Sequence, residues 1–176
     1  MPDTKLRSRH ARRENFKESQ GIRLSSPSIL DGDPIPSRHS VDGGNASPAL
    51  SWSGFPDDTR SIAVTCEDPT GPRGRPFTLW ILYNIPADVS GIPDSISKVF
   101  MPPEVPGAEQ GVNDTGTVGY DGPAPPPGHL AHRYEFKVYG LDVPLNVPPD
   151  ITRSAFEAAI ANHVLALGEL AGTFRR

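Results

Sequence analysis

One segment of the chain contains proline and glycine at a density that restricts the backbone to few conformations. Four prolines and three glycines lie between Gly119 and Gly128, and an alternating segment, residues 134–141, begins just after His132. Proline fixes φ and glycine permits positive φ, so such a loop holds one shape at a small entropic cost. The alternation is typical of a strand with one buried face. We therefore expect a rigid loop that fixes the position of His132 at the start of a strand, an arrangement typical of a binding site.

Short apolar and β-branched runs, separated by turn residues, make up most of the rest of the chain. The predicted strands are residues 22–24, 49–52, 61–66, 77–85, 134–141 and 170–174. The run 77–85 is apolar and bounded by prolines, which is typical of a buried central strand. Residues 87–131 form one long connection with at most a short helical turn near 95–99, and connections of this length usually carry function.

Helical spacing occurs once, over residues 152–167. Thr152 is the predicted N-cap and Gly168 the predicted end. One apolar stripe is formed by Phe156, Ile160, His163, Val164 and Leu167. Many strands and one late helix predict a mainly β fold, an antiparallel β-sandwich with a peripheral C-terminal helix.

Charge is unevenly distributed along the 176 residues. Residues 1–20 carry six Lys and Arg against three Asp and Glu, leaving 11 basic and 18 acidic side chains in residues 21–176. We predict a disordered basic tail over 1–20 and one folded domain over 21–176. An acidic body disfavours nucleic-acid binding, although the tail alone is compatible with contact to RNA, anionic lipid or an acidic partner.

Cysteine usage and hydropathy bear on the compartment. Cys66 is the only cysteine, so no disulfide can form within the chain, and a reducing, cytoplasmic environment is expected. The sequence contains no apolar run of 18 residues and no secretory signal, so we expect no integral membrane association.

Four motifs occur in an order that points to one family. Asp68-Pro69 lies in a turn before the strand 77–85, and residues 119–134 read G-Y-x-G-P-x-P-P-x-G followed by H-R-Y. Residues 45–52 and 163–175 supply the other two. Together the motifs resemble the phosphatidylethanolamine-binding protein (PEBP) family, which includes Raf kinase inhibitor protein, and they fit its bacterial and archaeal branch best. The resemblance implies two antiparallel sheets, with an anion-binding pocket beside the loops that carry both signatures.

The resemblance also implies which residues line that pocket. Asp68, His132, Tyr134 and Pro126 fall on pocket positions, with Tyr120 close by. Taken alone, the sequence favours Asp68 as an ordinary turn residue, and His132 is equally compatible with a structural hydrogen bond or a ligand contact. A carboxylate next to an imidazole would orient and charge it, and the imidazole could then donate to an anionic oxygen.

Two pocket positions differ from the family pattern. Thr70 stands where a second aspartate is usual, and Leu79 where a histidine is usual. We therefore expect a pocket that is more apolar and less acidic. His129 in the proline loop is a candidate substitute for the missing imidazole, or else an exposed loop residue.

Other chemistries have little support in the sequence. No metal-ligand cluster, cofactor motif or nucleophile elbow is present, so we expect no metal, no cofactor and no hydrolase-type activity. Cys66 is predicted to be a buried, inert thiol and His163 a core histidine.

The leading hypothesis is a non-catalytic domain that binds a small anionic or phosphorylated ligand, such as a phospholipid head group, and regulates a partner such as a kinase. The first alternative is a hydrolase or lyase with His132 as general base and Asp68 as its orienter. The second is an inhibitor of a kinase or protease that acts through its surface, with a vestigial pocket. A homodimer is compatible with each hypothesis.

Overall fold

The structure, a computed structural model, describes residues 21–176. The predicted tail over residues 1–20 lies outside the described residues. Within 21–176 the strands are β1 Arg23–Ser25, β2 Leu50–Ser53, β3 Ser61–Asp68, β4 Phe77–Pro86, β5 Gly91–Ile92, β6 Glu109–Gln110, β7 His132–Leu141 and β8 Val164–Phe174. The same residues contain one α-helix, α1, which spans Arg153–Ile160, and 3₁₀ turns at Ser37–His39 and Pro72–Gly74.

The strands form two antiparallel sheets. The smaller has the order β1-β2-β5 and the larger the order β6-β4-β3-β7-β8. Each long strand of the larger sheet pairs with a long neighbour. The pairing of β7 with β8 runs from His132, opposite Phe174, to Leu141, opposite Val164. The predicted mainly β fold, an antiparallel β-sandwich with a peripheral helix, is confirmed.

Apolar side chains pack on both faces of the larger sheet. The first layer lies between the two sheets, where Trp52 of β2 packs with Trp80 of β4 and Phe136 of β7. The second layer lies on the outer face of the larger sheet, beneath α1, and contains Ile81, Tyr83, Leu141, Phe156 and Ile160. Because apolar layers cover both faces of the larger sheet, β3 and β4 are almost entirely buried, and their sequences are nearly continuous apolar runs.

The helix is shorter than its predicted span of 152–167. It ends at Ile160, a turn follows, and Val164–Phe174 is a strand, so the predicted stop at Gly168 is wrong. The strand pairs with β7 along its whole length, and that pairing outweighs the helical spacing. Gly168 permits close packing instead, because a Cβ there would lie 2.9 Å from the Cβ of Ile22. Thr152 occupies the N-cap position, but its side chain makes no capping hydrogen bond.

Residues 95–99, where the sequence allowed at most a short helical turn, form no helix in the structure. The amide of Gln110 donates to the carbonyls of Ser97 and Val99, at 2.7 and 2.8 Å. The N–H of Val99 also donates to the carbonyl of Ser97 at 2.9 Å, so the backbone here closes a three-residue turn and not a helical one. Gln110 is fully buried and accepts a hydrogen bond from the indole of Trp80 at 2.8 Å, so it ties this long connection to β4.

Candidate functional site

The ends of two neighbouring strands bring the predicted acid and imidazole together. β3 ends at Asp68 and β7 begins at His132, and the antiparallel register places Glu67 opposite Glu135. Continuing that register puts Tyr134 opposite Asp68. Because side chains alternate between faces, Asp68, Tyr134 and His132 share the face that meets the smaller sheet. The Nδ1 of His132 lies 2.6 Å from the Oδ2 of Asp68.

Both oxygens of the Asp68 carboxylate have partners. The backbone N–H and the hydroxyl of Thr70 donate to Oδ1 at 2.8 and 2.7 Å, while Oδ2 faces His132. The Asp68 side chain is 8% exposed and that of His132 20%. Since an ionised carboxylate only accepts, Nδ1 of His132 carries the proton. The other ring nitrogen, Nε2, has no hydrogen-bond partner among the described residues.

Three rings lie in sequence along this face. The centroid of the His132 ring is 6.5 Å from that of Tyr134, with the planes 23° apart, and 5.7 Å from that of His129, with the planes 31° apart. Burial, and then the charge of Asp68, raise the pKa of the Tyr134 phenol far above its usual value, so the hydroxyl stays protonated. His129 is exposed, as expected for a loop residue, but its ring lies beside that of His132.

A β-bulge turns Leu79 towards the interior. Cys66 pairs with Trp80 and Glu67 with Thr78, so the register of β3 and β4 shifts by one residue at Leu79. Leu79 and Trp80 consequently both join the layer between the sheets, although they are adjacent in sequence. Leu79 is only 3% exposed, so it contributes to the core more than to an open wall.

The remaining predicted pocket residues lie in different environments. Tyr120 is buried, meets Trp80 edge to face at 5.5 Å, and donates its hydroxyl to the carbonyl of His39 at 2.7 Å. Tyr120 therefore holds the start of the proline loop against the core. Pro126 is exposed, whereas Pro125 is buried. The proline loop thus presents Pro126 outward.

Asp121 anchors the start of the proline loop. Its carboxylate accepts hydrogen bonds from Asn45 at 2.9 Å, from Lys98 at 3.1 Å, and from the hydroxyls of Thr115 and Thr117. Burial alone would raise the pKa of Asp121, but these donors outweigh it and hold the pKa well below its usual value. The backbone N–H of Asp121 also donates to the carbonyl of Leu79 at 3.0 Å, which joins the loop to β4.

Gly122 lets the proline loop pack closely on the segment around His39. A Cβ at Gly122 would lie 1.9 Å from the carbonyl oxygen of His39, closer than any real contact. The imidazole of His39 is itself buried and structural, because Nδ1 donates to the carbonyl of Ala46 at 2.7 Å and Nε2 lies 2.9 Å from the hydroxyl of Ser28. Burial lowers the pKa of His39, which favours the neutral ring.

Two phenylalanines beside the pair were missed in the sequence. Phe77 is opposite Asp68 in the β3–β4 ladder, and Phe174 is opposite His132 in the β7–β8 ladder. Both are partly buried against the layer between the sheets. Each is the terminal aromatic residue of a predicted strand, but only the pairing of strands shows that they flank the same site.

Two further sequence predictions have different outcomes. Cys66 is fully buried, as predicted, and burial raises the pKa of its thiol well above the usual value. The prediction of His163 as a core histidine is wrong, because its side chain is 39% exposed and its Nδ1 lies 2.7 Å from Asp142 Oδ1. No three His, Cys, Asp or Glu side chains in the described part of the chain are placed to hold a metal ion.

The fold and site define a class: a β-sandwich with a carboxylate–imidazole pair where two central strands end beside a proline-rich loop. The family model described as "Phosphatidylethanolamine-binding protein" matches residues 25–175. This chain belongs to the phosphatidylethanolamine-binding protein family. A UPF0098 protein of Methanothermobacter thermautotrophicus is 39% identical over 155 residues, covering 88% of this chain and 99% of the relative.

Solved structures agree with this assignment and with its bacterial and archaeal branch. The crystal structure of Escherichia coli YbcL, described as a member of the mammalian PEBP family, has a TM-score of 0.82 at 32% identity and covers 88% of this chain and 98% of that one. A PEBP homologue from Chlamydia trachomatis, CT736, has a TM-score of 0.77 at 33% identity and covers 90% and 99%. Among residues 21–176, no helix has the length and apolar character needed to cross a bilayer.

Proposed function

We propose that this protein is a non-catalytic binding domain whose ligand is a small amphiphilic anion, with His132 as the residue that contacts the anionic oxygen. The observation that carries the proposal is the hydrogen bond between Asp68 and the Nδ1 of His132, while Nε2 has no partner within residues 21–176. A protonated imidazole with a carboxylate behind it can donate from Nε2 to an oxyanion. Asp68, with both oxygens occupied, then acts as a counter-charge and not as a ligand contact.

The surroundings of His132 favour an anion with an apolar part. The ring centroids of Tyr134 and His129 lie 6.5 and 5.7 Å from that of the imidazole, and a ligand at the Nε2 edge gains a single strong hydrogen bond. Phe77 and Phe174 supply apolar surface beside that edge. A charge-assisted hydrogen bond contributes about 1.5–3 kcal/mol, so inorganic phosphate should bind weakly and an alkyl phosphate more tightly.

The direct test is a titration of the uniformly ¹⁵N-labelled chain with inorganic phosphate and, separately, with octyl phosphate. The proposal expects the ring resonances of His132 to move with both, at lower concentration for octyl phosphate. Octanol serves as the uncharged control and should leave the His132 ring unmoved. If neither anion moves these resonances, the site is not an anion site.

Replacement of Phe174 by alanine distinguishes the contribution of the ligand's apolar part to affinity from that of its anionic part. Phe174 is partly buried opposite His132, so removing its ring should weaken octyl phosphate binding about fivefold, while inorganic phosphate binding should not change. Isothermal titration calorimetry measures both constants. Met101→Ala, which removes an exposed apolar side chain elsewhere, is the matched control. An equal loss for both ligands would contradict the assignment of Phe174 to the apolar wall.

A hydrolase or lyase is the second candidate, and the same Asp68–His132 hydrogen bond favours it, since a carboxylate-oriented imidazole can act as a general base. Generic esterase, phosphatase and peptidase substrates test this candidate against the His132→Ala variant. Turnover that disappears in the variant would replace the binding proposal with the enzymatic one.

Partners and location are also part of the proposal. We infer a phospholipid head group as one natural source of the anion, and regulation of a kinase or another protein as the consequence of binding. The lone Cys66, reduced and buried, supports a cytoplasmic location. The exposed Leu130, on the loop between Gly128 and β7, supports the surface-inhibitor alternative, in which a protein partner or a second copy contacts that loop. Size-exclusion chromatography with light scattering tests the homodimer.

A further inference from the structure

A single turn determines how the Asp68 carboxylate is held. Pro69 restricts Asp68 to extended backbone, and the N–H of Gly71 donates to the carbonyl of Asp68 at 3.3 Å, which closes the turn. Thr70 lies inside this turn and is exposed to solvent, yet its N–H and its hydroxyl both donate to the same oxygen, Oδ1. Two donors on one oxygen fix the rotation of the carboxylate group.

The fixed carboxylate in turn determines which edge of the imidazole is available. With Oδ1 occupied by Thr70, Oδ2 is directed at Nδ1 of His132 at 2.6 Å. The proton on Nδ1 is then held by Asp68, so the proton that a charged imidazole can donate to a ligand is the one on Nε2. A carboxylate free to rotate would not select one ring nitrogen in this way.

We propose that Thr70 is a positioning residue of the ligand site, which orients Asp68 through its hydroxyl and, being uncharged, leaves Asp68 as the one carboxylate that contacts His132. The inference rests on the proposed function, because it concerns the same site. It also deepens it. A second carboxylate would repel a doubly charged head group more than a singly charged one, so an uncharged Thr70 favours a dianionic phosphomonoester more than an aspartate at the same position would.

The first experiment needs no ligand. Long-range ¹H–¹⁵N spectra of the His132 ring report which nitrogen carries the proton. At a pH where the ring is neutral, the parent chain should carry the proton on Nδ1, and Thr70→Ser should match it because it keeps the hydroxyl. Thr70→Val should show a mixture of the two neutral tautomers. Thr152→Val removes another exposed threonine hydroxyl, one that makes no capping bond, and should leave the ring unchanged. Parent-like His132 spectra in Thr70→Val would overturn the positioning role.

The second experiment measures selectivity with octyl phosphate and octyl sulfate at pH 7, two probes with the same tail and a tetrahedral head group of different charge. Thr70→Asp adds a negative charge and removes the hydroxyl donor. We expect it to weaken octyl phosphate binding on the order of tenfold and octyl sulfate binding by less, so their affinity ratio falls. Thr70→Val should weaken both equally. An unchanged ratio in Thr70→Asp would overturn the inference on charge.

The two proposals fail in distinguishable ways. Binding that persists in His132→Ala would contradict the anion site itself, while the ligand-free spectra would still decide whether Thr70 orients the Asp68–His132 pair. Conversely, ligand binding that needs His132 but is insensitive to every Thr70 substitution would leave the binding function in place and remove Thr70 from it. Backbone ¹H–¹⁵N spectra of each variant establish that the fold is retained.

Discussion

His132→Ala is expected to lower the affinity for octyl phosphate by about 10- to 100-fold. The variant removes the Nε2 donor, and a hydrogen bond to a charged group contributes about 1.5–3 kcal/mol. It also leaves Oδ2 of Asp68 without its partner at 2.6 Å, so an unpaired carboxylate then repels the anion. Titration calorimetry of the variant and the parent chain measures the change.

His163→Ala is the matched control for this prediction. It removes a histidine whose Nδ1 also contacts a carboxylate, Asp142, at 2.7 Å, but that pair lies just beyond the last residue of β7, whereas His132 is the first. Ligand affinity in this variant should equal that of the parent chain. Equal losses in both variants would mean that removing a histidine–aspartate pair acts through stability and not through the site.

Asp121→Ala is expected to lower the free energy of unfolding by about 2 kcal/mol at neutral pH. The Asp121 side chain is 16% exposed and accepts hydrogen bonds from Asn45, Lys98, Thr115 and Thr117, each of the kind that contributes about 1.5–3 kcal/mol when an ion is involved. Water can replace the carboxylate at the two exposed threonine hydroxyls, so the net loss is smaller than the sum. Urea unfolding of the variant and the parent chain measures it.

The same residue predicts how the difference depends on pH. Hydrogen-bond donors hold the pKa of Asp121 below its usual value in the folded chain, whereas the pKa of an aspartate in the unfolded chain is about 3.9. A group with a lowered folded-state pKa stabilises the fold above the unfolded value, and this contribution is lost as the pH falls towards the folded value. The stability gap between parent and variant should therefore be full above about pH 5 and shrink as the solution becomes more acidic.

Asp88→Ala is the control for this pair of measurements, because Asp88 is exposed and makes no side-chain hydrogen bond among the described residues. Its free energy of unfolding should stay within about 0.5 kcal/mol of the parent value. A gap between the parent chain and Asp121→Ala that grows towards low pH would have the wrong sign and would contradict the role given to the carboxylate.

Most strands were predictable because alternation and β-branching are local properties. The predicted runs 61–66, 77–85 and 134–141 correspond to β3, β4 and β7, and Tyr134, Phe136 and Val138 share a buried face as the period of two requires. The family motifs, which are also local, predicted the fold and the identity of the acid and the imidazole.

The errors fall where a long-range partner decides the conformation. Residues 164–167 continue the helical spacing, yet they pair with β7, and nothing near them in sequence reveals that neighbour. The carbonyls of Ser97 and Val99 are engaged by Gln110, more than ten residues away. Adjacent Leu79 and Trp80 face the same way because of a bulge against β3, which a strict alternation cannot indicate.

The residue types of the site, an aspartate before proline, a histidine at a strand start and a threonine two residues after the aspartate, were present in the amino-acid order alone. Their arrangement was not. Asp68 and His132 are 64 residues apart, and only the β3–β7 register brings them within 2.6 Å. The β3–β4 and β7–β8 ladders add Phe77 and Phe174 beside the pair, and the turn at Thr70 supplies two donors to the Asp68 carboxylate. Pairing between distant strands is a cooperative property of the whole sheet, because each register is stabilised by burial across both of its faces.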